Sequence, residues 1–484
     1  MEYVIKGYEP QRLFAHLEEI SAIPRSSGQE EQAADYLVRF AKEKGFWHYR
    51  DEIHNVIIKK RGSPGCENLP AVMLQGHTDM VCEKNADVAH DFSREGIRLV
   101  AGEGKLRARG TTLGADNGAA VALMLALLED DGFPYPPLEC VFTVQEETGL
   151  AGALQIDVKQ ISARTMINLD SEEEGVATVS CAGGLRAELF RRVSYFPSGL
   201  PGLRVSVRGL RGGHSGMDIA LCRGNANKLL GRILYILYKN IKFDLCGIEG
   251  GNKDNAIPRE GDAFLAFRTE GERDRAILLL QETAEELFLE YCKTDPEFRV
   301  EIEPYQPHRV MDAASCKAVI RLLYLAPDGV RSRSGDAGGF TVSSLNMGVV
   351  HTGEEGISVV FSPRSSVASL QRDTKEHLLL LAELLGFLAE IRSEYPGWRY
   401  QPQSTIRDIC RKCYEELTGK ELRCEAIHAG LECGIFSERL PGLDAIAIGP
   451  EITGCHTPEE TLDLASLSRT YQLVREMLVK LSGK

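Results

Sequence analysis

No stretch of the chain approaches ~20 uninterrupted apolar residues, so no membrane-spanning helix is expected. The opening residues Met1-Glu2-Tyr3-Val4-Ile5-Lys6 lack the basic start and long apolar core of a secretion signal. There is no dense Lys/Arg stripe, and the formal charge of −14 opposes a phosphate backbone, which argues against nucleic acid as a partner. Neither a GxSxG nucleophile elbow nor an HExxH zinc helix occurs, which removes two common hydrolase classes. Short-period repeats and low-complexity tracts are absent as well. Cysteine is sparse and odd in number, 13 in 484 residues, too thin for a disulfide framework. Reduced thiols in a cytoplasmic protein are the expectation. Cys410 and Cys413 form a lone CxxC inside a helical pattern (Ile406 to Leu417), which reads as a helix face rather than a zinc ribbon.

What is present is the composition of an ordinary globular protein, 43% hydrophobic and 26% charged, in a chain too long for one core. Gln11 to Ile20 and Glu30 to Lys44 each place apolar residues on one helical face. Ala71 to Leu74, Glu139 to Val144 and Thr165 to Leu169 read as buried strands, and Gly118 to Leu128 as a helix. That alternation predicts an α/β domain with a central, mostly parallel sheet. Near Cys181 the character changes to α+β. A strand at Arg204 to Val207, a helix over Asn225 to Tyr238 and a strand at Ala263 to Arg268 are expected there. Pro396-Gly397 is a turn signal, after which the α/β pattern returns, with Ala445 to Ile448 as a strand. The expected division is 1–182 and 397–484 as a catalytic domain, interrupted by an inserted domain over 183–396.

Ionisable residues cluster where the strands end. Ala71-Val72-Met73-Leu74 leads into His77 and Asp79, Cys140 to Val144 into Glu146 and Glu147, and Met166 to Leu169 into Asp170. Asp116 stands just before the Gly118 helix. In open α/β sheets ligands bind beyond the carboxyl ends of the strands. One histidine and four or five carboxylates gathered at that edge repel one another unless divalent cations neutralise them. Mixed imidazole and carboxylate donors suit zinc, with manganese or cobalt able to substitute. Each acid alone would read as a cap or a solvated loop residue; acids at three successive strand ends would not.

Four segments together resemble the M20 co-catalytic zinc peptidases: Leu74 to Met80, Leu113 to Gly118, Gln145 to Gly149, and Asn168-Leu169-Asp170. The likeness runs over essentially the whole chain, and within that family it is to the aminoacyl-histidine, or cytosolic non-specific, dipeptidases. It implies two zinc ions per subunit. Asp116 would bridge them, His77 and Asp170 would complete one site, and Glu147 with His456 the other. Asp79 would orient His77, and Glu146 would be the general base. The insert is then a lid and dimerisation domain, with His214 in Arg211-Gly212-Gly213-His214-Ser215-Gly216 stabilising the oxyanion. Asn255, Arg364 and Gly430 match positions near substrate, and an Arg fork suits the free carboxylate of a dipeptide. A homodimer and a cis Asp116-Asn117 peptide are also implied.

His351 copies the His456 segment superficially but falls inside the insert, and His428 fits a metal by residue type alone; the resemblance favours His456. Cys82 reads as a packed side chain rather than a nucleophile. A deacylase of N-acyl amino acids in the same superfamily would share the metal core, so that core does not discriminate; the lid and the segment His428 to Gly434 favour the dipeptidase.

Overall fold

The computed structural model describes residues 3–335 and 339–483. The chain forms two compact units, Met1–Cys181 with Tyr400–Ala426 and Leu431–Lys484, and Ala182–Arg399 with Ile427–Gly430. The return of residues 427–430 to the second unit is not anticipated by the sequence division.

In the first unit an eight-stranded sheet is built from β1 (Trp47–Arg50), β2 (Val56–Lys60), β3 (Val72–His77), β4 (Leu138–Thr143), β5 (Thr165–Asn168), β6 (Val176–Cys181), β7 (Arg423–Ile427) and β8 (Asp444–Ala447). Their order is β1-β2-β4-β3-β5-β8-β6-β7. The neighbouring pairs β4·β3, β3·β5 and β5·β8 are parallel, whereas β1·β2, β2·β4 and β8·β6 are antiparallel. The expected parallel sheet is therefore its centre. All six residues of both β3 and β4 are buried, as strands at the centre of a sheet covered on both faces are.

Helices α1 (Gln11–Ser21) and α2 (Glu31–Lys44) bury one face each, through Leu13, Phe14, Leu17 and Ile20 and through Ala33, Ala34, Leu37 and Ala41. Helix α3 (Ala115–Glu129) is buried from Ala115 to Leu128, which fits its Ala/Leu-rich sequence with no polar face. It begins three residues before the expected Gly118. Asp116 and Asn117 lie within it but off helical geometry, and the peptide between them is cis. Cys410 and Cys413 are buried side by side on α4 (Thr405–Thr418), a packed face as read. No helix of the described residues is long and apolar enough to cross a membrane.

The second unit centres on a nine-stranded sheet whose pairings are antiparallel. Strands Arg299–Tyr305 and Leu388–Tyr395 end the run. The helix Ala226–Asn240 buries Leu229, Leu230, Ile233, Leu234 and Leu237 in an apolar core of its own. The α+β character expected of the insert is what the chain adopts.

Candidate metal centre

Three central strands bring their polar continuations together at their carboxyl ends. His77 is the last residue of β3 and pairs in register with Thr143 of β4, which leads on to Glu146 and Glu147. Gln75 pairs with Asn168 of β5, two residues before Asp170. Gly76 is small by necessity, because a Cβ there would stand 2.4 Å from Asn117 Oδ1. Asp116 enters from the first turn of α3. His456 arrives from far along the chain, on the loop between short strands Ile452–Thr453 and Thr461–Asp463, with φ of 63°.

Two donor groups result, and both use Asp116. His77 Nε2 lies 3.0 Å from Asp116 Oδ1 and 3.3 Å from Asp170 Oδ1. His456 Nε2 lies 3.1 Å from Asp116 Oδ2 and 3.1 Å from Glu147 Oε1. In each group the ligand atoms fall within 4.8 Å of one another. Glu146 joins His77 and Glu147 in a third such group, and Glu172 and Cys455 join Asp116 in a fourth. His77 turns Nδ1 toward Asp79 Oδ1, at 3.3 Å, which leaves Nε2 aimed at the carboxylates. The same Asp79 accepts the backbone N–H of Glu146 at 3.0 Å and of Glu147 at 3.2 Å, and the hydroxyl of Ser27 at 2.8 Å. Imidazole and carboxylate oxygens in two sets joined by one aspartate match the donor preferences of a pair of zinc-like divalent ions.

The electrostatics are those of a crowded anionic site. Burial alone would lower His77, but Asp170, Asp116 and Asp79 outweigh it and hold the imidazole well above its ordinary pKa. His456 is pushed up to about 11 by its bonds to Asp116 and Glu147. Burial raises Glu146 well above the usual carboxylate range, with Asp170, Glu432 and Glu147 adding to it against His77. Glu172 is raised to about 7 by burial and by Asp116.

The other expected residues lie in the second unit. His214 Nδ1 accepts the N–H of Gly216 and of Met217, at 3.3 and 3.1 Å. Burial and the charge of Arg364 hold that ring neutral. Arg364 is buried and donates to the Tyr395 hydroxyl at 3.2 Å, with its Nε unpartnered. Asn255 accepts from Ser215 N through its carbonyl, at 2.9 Å. At Gly430 a Cβ would stand 2.9 Å from the Tyr395 ring. His351 is exposed and pairs with Glu249 at 2.8 Å, and Cys82 hydrogen-bonds Ser26 while burial raises its thiol; both have the structural character read from sequence. His428, set aside as a metal donor by the resemblance, has its Nε2 2.7 Å from Ser344 Oγ. Burial and Arg364 lower it to about 4.

Sequence reasoning missed the groups behind the centre. Glu432, fully buried at the start of helix α5 (Glu432–Arg439), accepts from Thr143 Oγ1 at 2.7 Å and from the Gln75 amide. Gln75 in turn accepts from Asn168 at 2.6 Å. Arg25 and Glu460, also buried, bond the backbone around His77 and Asp116. Glu460 stands four residues after His456, but its partners are backbone atoms more than three hundred residues away, and no local pattern announces them.

The sequence pattern of peptidase family M20/M25/M40 matches residues 73–480. The chain belongs to that family. This M20 peptidase is 36% identical over 479 residues to the cytosol non-specific dipeptidase of Escherichia coli (strain K12), covering 98% of each chain. Its fold matches the crystal structure of aminoacylhistidine dipeptidase from Vibrio alginolyticus with a TM-score of 0.90 at 35% identity, over 97% of this chain and 96% of that one. A tripeptidase from Staphylococcus aureus shares the fold at a TM-score of 0.56 and 15% identity, over 98% and 99% of the two chains. The expected resemblance to M20 peptidases, and within them to the aminoacyl-histidine and cytosolic non-specific dipeptidases, is borne out.

Proposed function

We propose that this M20 peptidase is a two-metal dipeptidase of the cytoplasm, hydrolysing Xaa-His and other unblocked dipeptides. The observation that carries the reading is the pair of three-donor groups joined at Asp116. His77, Asp116 and Asp170 would hold one zinc ion, and Asp116, Glu147 and His456 the other, with cobalt or manganese able to substitute. Two such ions would polarise the scissile carbonyl and acidify water near neutral pH.

Asp79 fixes the His77 ring by accepting a hydrogen bond from Nδ1–H, which leaves the Nε2 lone pair for an ion. Through the Glu146 and Glu147 amides it also fixes where the second strand end presents its carboxylates. Glu146 would accept the proton of the attacking water and pass it to the departing amine. A carboxyl raised by burial is suited to both halves of that transfer at neutral pH. His214 is neutral with Nδ1 already accepting, so its proton sits on Nε2, ready to donate to an oxyanion. Arg364 would hold the free carboxylate of a dipeptide, which limits substrate length, while Asn255 and the bare backbone at Gly430 contact the rest. Exposed Leu380, Leu384 and Leu388, beside the terminal strand Leu388–Tyr395, would supply the face of a homodimer.

The test is turnover by zinc-loaded protein of Ala-His and Gly-Gly against N-acetyl amino acids. Cleavage of the dipeptides and little turnover of the acyl amino acids is expected. Turnover confined to acyl amino acids would make the protein a deacylase.

A further inference from the structure

Gly114, two residues before the shared donor Asp116, is gripped from opposite sides by two buried side chains of opposite charge. Its carbonyl accepts from Arg25 Nη2 at 2.5 Å. Its N–H donates to Glu460 Oε2 at 2.9 Å. Glu460 also accepts from Leu113 N at 2.7 Å and from Asp116 N at 3.3 Å. Arg25 Nη1 reaches the other way, to Thr78 O at 2.9 Å and Asp79 O at 3.2 Å. Neither residue has appreciable exposure, at 1% for Arg25 and 2% for Glu460.

These contacts join three segments that are far apart in the chain. Thr78 and Asp79 follow His77. Leu113 to Asp116 carries the shared donor. Glu460 closes the turn that presents His456. The guanidinium fork and the carboxylate thus meet at one residue, Gly114, whose carbonyl and N–H point to the cation and the anion respectively. Charge-assisted bonds of this kind are about twice as strong as neutral ones, and in a dry interior they are not screened.

The sequence is shaped around this arrangement. A Cβ at Gly114 would stand 2.6 Å from Arg25 Nη2 and 2.6 Å from Met80 Sδ, and one at Gly118 would stand 2.8 Å from Arg25 Nη2. Gly114 also has φ of +68°, where a side chain is strained. The two glycines flanking Asp116 are therefore the space in which the guanidinium lies.

We propose that Arg25 and Glu460 are positioning residues that set how tightly the two donor groups hold their ions, by fixing Asp116 relative to His77 and His456. The proposal rests on the two-metal reading above. Because Asp116 serves both groups, loosening it weakens both ions together, unlike loss of a ligand belonging to one group.

The experiment compares wild type with Arg25→Lys, Glu460→Gln and a control, Leu478→Ala, which opens a cavity in the same unit away from these contacts. Three quantities are read. Hydrogen exchange of residues 111–118 is followed in metal-free protein, zinc affinity by competition with a chromophoric chelator, and kcat and KM on Ala-His at saturating zinc. Glu460→Gln and Arg25→Lys should exchange that segment faster and bind both ions about 10–100-fold more weakly. Their kcat should fall with KM little changed, while Leu478→Ala lowers the melting temperature and moves none of the three. If Arg25→Lys does not fold, Glu460→Gln decides alone. Wild-type exchange and wild-type zinc affinity in Glu460→Gln would overturn the proposal. A wild type that binds no divalent ion would sink the two-metal reading instead, and the exchange comparison, which needs no metal, would still decide whether the two residues hold Asp116.

Discussion

His456 and Asp116 are 340 residues apart in the chain, yet His456 Nε2 stands 3.1 Å from Asp116 Oδ2. That contact closes one donor group only, because His77 serves the other. His456→Ala should therefore leave one ion bound and release the second. Its side chain is half exposed, so the fold should survive. Metal analysis after gel filtration checks this, with one equivalent expected where wild type carries two.

Glu146 lies beside both groups without being needed to complete either. Glu146→Gln should keep two ions and lower kcat by about 10²–10⁴-fold, the range of a lost general base. Retention of wild-type turnover would remove Glu146 from that role.

In metal-free protein the surrounding carboxylates keep His77 and His456 protonated at neutral pH, the latter up to about 11. Raised values mean the proton is held below the folded pKa and given up above it. An ion that takes Nε2 must displace that proton, so metal affinity should rise with pH. Calorimetry of zinc binding at pH 7 in buffers of different ionisation enthalpy should show net proton release. A binding enthalpy independent of the buffer would contradict it.

A distant carboxylate gives a pH signature of stability rather than of function. Glu129 lies 2.7 Å from Arg12, 2.7 Å from Lys44 and 3.0 Å from His16. Burial would raise its carboxyl, but the bonds from Arg12, Lys44 and His16 outweigh it and bring the value down from 4.5 to about 2. A depressed folded value means stability present above pH 4.5 and lost as pH falls through 2. Glu129→Gln should cost about 1 kcal/mol at neutral pH after solvent screening, with the gap to wild type closing toward pH 2. Urea unfolding at stepped pH measures it.

The strand ends were legible because a buried parallel strand must be apolar along its length. The ionisable residues that follow Leu74, Val144 and Leu169 therefore mark the sheet edge where a ligand is expected. The helical periods of α1, α2 and Cys410/Cys413 were legible for the same local reason. What was not legible is non-local. Arg25 looks like any loop arginine until its partners at Thr78, Asp79 and Gly114 are in place. Gln75 and Glu432 meet only once β3 and the start of α5 are side by side. Residues 427–430 join the second unit through four residues that carry no change of composition. The start of α3 at Ala115, with Asp116 and Asn117 off helical geometry inside it, was not legible either, because the sequence pattern shows only the apolar run that begins at Gly118.

The shared aspartate is the centre of the account, and anomalous diffraction from zinc-loaded crystals tests it directly. Two peaks are predicted, one about 2.0–2.2 Å from donor atoms of His77, Asp116 and Asp170 and the other at that distance from Asp116, Glu147 and His456. A single peak, or two peaks of which only one touches Asp116, would contradict it.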